Sequence, residues 1–130
     1  MGWQGLDRRN FPRVIYPCLV KIKTPQGEQE SLLTHTENIG GGGICVIVKK
    51  EIRLFTDVEL EIDLLDTDDH LKAQGRVVWS VRRKSMEELK PMFYDIGVEF
   101  VNLNSSDKER LRHVLSQMLK KGAKLLKPYV

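Results

Sequence analysis

From Asp57 to Leu64 the chain alternates without a break: Val58, Leu60, Ile62 and Leu64 occupy one set of positions, and Asp57, Glu59, Glu61 and Asp63 the other. Successive side chains of an extended strand point to opposite faces, so this segment reads as a strand with one face in a core and the other in water. Such a strand needs companions, and β-rich runs flank it at Val14–Lys23, Ser31–Glu37, Leu71–Val81 and Phe93–Val101. Ile44–Val48 is almost wholly apolar and reads as a strand buried on both faces. The total is about six strands, a usual sheet size. Thr24-Pro25-Gln26-Gly27 has the residues of a reverse turn and makes the first two runs a hairpin. Asn38–Gly43 reads as a glycine-rich break and Arg82–Lys90 as a polar loop.

After Val101 the period changes. Leu111, Val114, Leu115, Met118 and Leu119 recur at helical spacing and make one apolar stripe. Ser106 with Glu109 has the spacing of a capping box, and Gly122 offers a left-handed stop. One amphipathic helix closing an open end of the β structure is expected. The tail from Ala123 to Val130 keeps Leu125, Leu126 and Tyr129 without an evident core partner, which marks it for self-association. At 130 residues the chain fits one domain. The division expected is a lead over 1–7, a domain over 8–121 that includes the helix, and a tail over 122–130.

Composition excludes more than it selects. Apolar residues at 41% and charged residues at 30% are those of an ordinary globular protein, and a net charge of +3 is too small to argue for generic polyanion binding. Cys18 and Cys45 lie in apolar runs without metal or redox spacing and read as buried, reduced thiols. Met1–Asp7 lacks the features of a signal peptide, and no apolar run is long enough to span a bilayer. A cytoplasmic protein without membrane insertion is the expectation.

Two segments stand out chemically. Pro12 biases Phe11 toward extended backbone, so Arg8–Arg13 reads as an ordered arm carrying Arg8, Arg9 and Arg13. No Asp or Glu lies between Arg8 and Lys23 to neutralise it, so an anion is a fitting partner. Guanidinium groups suit a guanine nucleotide twice over, by donating two bonds to O6 and N7 or by stacking on the purine, and they also pair with phosphate. The second segment is Asn38-Ile39-Gly40-Gly41-Gly42-Gly43. Consecutive glycines cost conformational entropy, and between strands they answer a need for positive φ or for close approach of another group. The bland reading is a flexible turn. The functional one is a nest of backbone N–H groups for an oxyanion, with the Asn38 amide reading a base edge. It is not a P-loop, since no Gly-Lys-Ser/Thr follows.

Taken in order, Arg9-x-x-x-Arg13, Asn38-x-Gly40-x-x-Gly43 before an apolar strand, Gly75-Arg-Val-Val-Trp79, and Asp95-Ile-Gly97-Val-Glu-Phe100 before a terminal helix resemble the PilZ family over roughly Arg8 to Lys121. The resemblance implies a six-stranded antiparallel β-barrel with a C-terminal helix, a receptor for the bacterial second messenger cyclic di-GMP that passes the signal to a protein partner. It implies that Arg9 and Arg13 clamp guanine and phosphate, that Asn38 reads a guanine edge, and that Gly43 is the motif's closing glycine. Gly40 stands where the family most often has serine, removing one hydroxyl hydrogen bond worth about 0.5–1.5 kcal/mol. Arg8, just before the pair, resembles the class that holds two stacked ligands. The ligand-binding set is then Arg8, Arg9, Arg13, Asn38, Gly40, Gly41 and Gly43, with no metal and no cofactor besides the ligand.

Other features point elsewhere. Trp79 and Gly97–Phe100 have strand spacing and read as packing. His35, His70 and His113 are scattered, and Asp66–Asp69 lacks the remaining ligands of a calcium loop and reads as a solvated hairpin turn. Nothing pairs a nucleophile with a base, so an enzyme is not expected. A small-barrel nucleic-acid binder would interleave stacking aromatics with cations, and aromatics are only 7% of the chain. The competing reading is a PilZ-like adaptor that works by protein contact without binding cyclic di-GMP.

Overall fold

The computed structural model describes residues 13–25, 31–66, 69–83 and 93–126. Its elements are β1 (Arg13–Ile15), β2 (Leu19–Lys23), β3 (Ser31–Gly40), β4 (Gly43–Val48), β5 (Asp57–Asp63), β6 (Leu71–Arg83), β7 (Phe93–Val101), α1 (Ser105–Lys120) and β8 (Lys124–Leu126). The strand order β2-β5-β6-β7-β4-β3 closes on itself through a β2–β3 pairing, and all its pairs are antiparallel. The result is the closed six-stranded barrel expected, in which every barrel strand has two neighbours and no long edge is left open.

The alternation of β5 survives intact, with Val58, Leu60, Ile62 and Leu64 all in the core. They meet Val20, Ile22, Ile39, Ile44, Val46, Val77 and Ile96 in one cluster, which Leu111, Val114, Leu115 and Met118 of α1 join from the helix's apolar stripe. β4 is buried on both faces along Ile44, Cys45 and Val46, as its apolar run requires.

Several boundaries differ from the sequence reading. Val14–Lys23 is two strands, interrupted at Tyr16-Pro17-Cys18, because Pro17 cannot donate to a ladder. Buried Thr36 sews the gap. Its hydroxyl accepts from the Cys18 N–H at 3.0 Å and donates to the Tyr16 carbonyl at 2.7 Å, while its own N–H reaches the Cys18 carbonyl at 2.8 Å. β3 continues through Gly40, so the glycine segment is a tight hairpin with Gly40 paired to Gly43 across Gly41-Gly42. Arg82 and Arg83 belong to β6, not to a loop. The helix is capped by Asn104, whose side chain accepts from the Asp107 N–H at 2.8 Å, and not by Ser106; Glu109 instead pairs with Arg112. Gly122 at φ 99° provides the left-handed stop, with Gly122 donating to the Leu119 carbonyl at 3.1 Å and Ala123 to the Met118 carbonyl at 2.9 Å. That reversal turns the chain back, so residues 124–126 pair with β1 as an added strand rather than standing apart as a tail. Gln26 and Gly27 of the proposed turn, and most of the polar loop, lie outside the described residues.

Candidate ligand-binding face

The short strand β1 lies beside the glycine hairpin because its partner at this level is the end of β3, with Arg13 opposite Gly40 and Val14 opposite Ile39. On the other side β8 completes its pairing, with Leu126 opposite Arg13. Held from both edges, Arg13 donates from its guanidinium to Oδ1 of Asn38 at 3.1 Å. Two residues singled out from separate segments, 25 positions apart, are thus in direct contact. A β-bulge between Thr36 and Asn38 helps set this geometry by changing the register of β3. Arg8 and Arg9 lie outside the described residues.

Gly43 opens β4 opposite Gly40 on one side and Glu99 of β7 on the other. A Cβ at Gly43 would stand 2.2 Å from the Val98 carbonyl oxygen, so the glycine is required by close backbone approach. The Gly42 carbonyl accepts from the Phe100 N–H at 2.9 Å, which ties the hairpin down onto β7. Gly40 and Gly41 sit in the same turn, at the level of Arg13.

One step along the barrel runs a second row, Asn38 on β3, Cys45 on β4, Gly97 on β7 and Trp79 on β6. The Trp79 indole lies across Gly97 so closely that a Cβ there would be 2.0 Å from Nε1. This gives Trp79 and Gly97 the packing role expected of them.

Beyond Asn38 is a charged cluster that the sequence reading missed. Asp95, almost fully buried, pairs with Arg83 at 2.5 Å through Oδ2, while its Oδ1 is sealed from water and has no hydrogen-bond partner among the described residues. Glu37, in the β3 bulge, comes within 3.9 Å of the Cys45 sulfur. Desolvation, together with the Asp95 charge, raises the Glu37 pKa, and Arg83 opposes that shift. Burial pushes the Cys45 thiol up to about 12, with Glu37 and Asp95 adding to the effect and Arg13 opposing it. Cys18 is pushed to about 11, again chiefly by burial. Both thiols are buried and unoxidised. Asp95 was visible only as the first residue of a motif. Its neighbour Glu37 comes from β3, far away in sequence, at the bulge between Thr36 and Asn38.

The Asp66–Asp69 turn is more than solvated, because Arg110 of α1 grips the Asp66 carboxylate with two bonds at 3.1 and 2.9 Å and also reaches the Asp69 carbonyl. His70 lies between Glu61 at 3.0 Å and Asp63 at 3.7 Å, a surface arrangement. A surface cleft lined by Lys21, Glu59, Lys72 and Asn104 runs over β2, β5 and β6, and contains neither Arg13 nor Asn38. Among the described residues, no helix is long and apolar enough to cross a membrane.

Comparison with known proteins agrees with this architecture. No curated protein matches in sequence. Among solved structures, the PilZ domain of Escherichia coli YcgR with c-di-GMP superposes with a TM-score of 0.69 at 12% identity, covering 88% of this chain and 93% of that one. The Bacillus subtilis inhibitor of motility MotI gives 0.70 at 17% identity, over 88% of this chain and 52% of that one. The K. pneumonia MrkH–c-di-GMP complex gives 0.70 at 16% identity, over 88% and 53%. The chain therefore spans about half the length of the latter two. The family model for the PilZ domain matches residues 7–117, which takes in the arginine arm, the glycine hairpin, the whole barrel and most of the helix, and the chain belongs to that family.

Proposed function

We infer that this PilZ domain is a cyclic di-GMP receptor whose ligand lies against the outer face of the barrel, where β1 meets the Asn38–Gly43 hairpin. The observation that carries this reading is the 3.1 Å contact between Arg13 and Asn38. A guanidinium able to meet phosphate or purine and an amide able to read a base edge are held together beside a hairpin whose backbone is bare of side chains. Two of the similar structures, the YcgR domain and MrkH, are described as bound to c-di-GMP, which supports the same ligand here.

In this proposal Arg9 and Arg8 come from the arm ahead of β1, Arg9 completing the clamp and Arg8 favouring a second, stacked ligand. Two dinucleotides bring four phosphate charges, and a third guanidinium offsets their repulsion. Folding of the arm over the ligand against Gly40, Gly41 and Gly43 would change the surface offered to a protein partner, a means of signalling that needs no catalytic group. The missing serine hydroxyl at Gly40 lowers affinity without removing the site.

Isothermal calorimetry with cyclic di-GMP tests this. The parent is expected to bind with a ligand number near two, and Arg13→Ala to lose about 1.5–3 kcal/mol of binding free energy, roughly ten- to a hundredfold in affinity. Arg8→Ala lowers the ligand number toward one. Absence of heat with the parent would favour the adaptor that works without a ligand, and unchanged affinity in Arg13→Ala would remove Arg13 from the site.

A further inference from the structure

The crossing from β4 to β5 carries an unusual turn. Phe55 has φ 66°, the left-handed region, where a bulky aromatic side chain is a steric outlier. Yet the turn is built firmly. The Phe55 N–H donates to the Val77 carbonyl at 2.7 Å, the Val77 N–H donates to the Thr56 carbonyl at 3.0 Å, and Ile52 is sunk in the core as an anchor. What this frame holds out to solvent is apolar: Phe55 is 71% exposed and its neighbour Leu54 50%. Strain that the surrounding structure over-determines is characteristic of functional sites.

The flanks are basic. Lys49, Lys50 and Arg53 are exposed on the same crossing. Exposed Arg82 stands farther off, two strands from Val48 in the row Val48–Tyr94–Arg82 and five residues along β6 from the Val77 that holds Phe55. Against these cations the crossing carries one exposed acid, Glu51.

We propose that this turn is a peripheral contact for an anionic phospholipid surface, with Phe55 and Leu54 entering the interface and Lys49, Lys50 and Arg53 of the same crossing meeting the headgroups. The charge pattern and the small exposed apolar pair favour lipid over a protein partner. Two exposed apolar side chains fall far short of the roughly 800 Å² per partner of a stable protein interface, and lysine is depleted in such interfaces. At a bilayer surface the same residues are suited to their place: an aromatic ring settles at the headgroup boundary, and lysine and arginine stems reach outward to phosphate. The contact neither spans the membrane nor depends on the cyclic di-GMP reading.

Co-sedimentation with vesicles decides it. The parent is expected to pellet with vesicles of equal parts phosphatidylglycerol and phosphatidylcholine, not with phosphatidylcholine alone, and to be released by salt. Phe55→Asn should weaken partitioning about tenfold, the order expected for losing one buried aromatic side chain. Since asparagine tolerates left-handed backbone, that variant should melt no lower than the parent, which separates lost contact from lost fold. Charge reversal at Lys49 and Arg53 together should abolish pelleting. Failure of the parent to pellet with the mixed vesicles, equal pelleting with phosphatidylcholine alone, or undiminished pelleting of Phe55→Asn would overturn the proposal. So would a Phe55-dependent self-association of the protein without vesicle binding.

Discussion

Asp95 presents the sharpest chemical problem at the level of single residues, since its Oδ1 is buried without a partner among the described residues. A proton on nearby Glu37, whose pKa is raised, would answer it. The neutral acid can donate to the Asp95 carboxylate, and hydrogen bonding to Asp95 is among the causes that raise the Glu37 pKa, after desolvation and the Asp95 charge. A glutamate raised in the folded state adds stability that is fully present below its ordinary pKa of 4.5 and is lost as pH rises through the folded value. Glu61 and Glu109, lowered by His70 and Arg112, act in the opposite sense from the protein's surface. Comparison with Glu37→Gln cancels their effect, because glutamine keeps a donor toward Asp95 at every pH. In urea unfolding, Glu37→Gln should gain on the parent as pH rises from the acid range to neutrality; a pH-independent difference would refute the shared proton. Gly43 offers a second residue-scale test. Alanine there meets the Val98 carbonyl at 2.2 Å and must prise β4 from β7, so thermal unfolding should show a loss of about 1–3 kcal/mol.

Among the elements, α1 separates what periodicity conveys from what it does not. Its stripe of Leu111, Val114, Leu115 and Met118 is buried as read, and Gly122 stops it as read. Its start was misplaced by two residues, because Ser106 with Glu109 satisfies the same capping pattern as Asn104 with Asp107. Only the structure shows Asn104 in extended backbone, at φ −74° and ψ 167°, with its side chain over the first turn. Asn104→Ala should therefore cost about 1 kcal/mol in denaturant unfolding and Ser106→Ala less than about 0.5 kcal/mol. The reverse order would return the cap to Ser106. The split of β1 from β2 and the addition of β8 were hidden for a related reason. Both depend on partners distant in sequence, Thr36 sewing the Pro17 gap and Arg13–Ile15 receiving the returning chain, and no local pattern records such partners.

For the whole molecule, the barrel was legible because period-two alternation on β5 and the apolar run of β4 report burial directly, whereas closure by β2 with β3 is a property of the complete ring. The candidate site was legible as two separate motifs. That Arg13 and Asn38 touch could be known only once β1 had been paired along β3, and the Glu37–Asp95–Arg83 cluster next to them had no linear signature. The fold thus delivers one face on which Arg13, the Asn38 amide and the bare glycine hairpin converge, with Cys45, Gly97 and Trp79 continuing from Asn38 across the barrel. The most direct test of that convergence is a two-dimensional amide NMR spectrum of the chain with and without cyclic di-GMP. The account predicts that the largest shifts fall on Arg13, Asn38 and Gly40 to Gly43, whereas an unchanged spectrum, or shifts confined to β5 and the surface of α1, would contradict it.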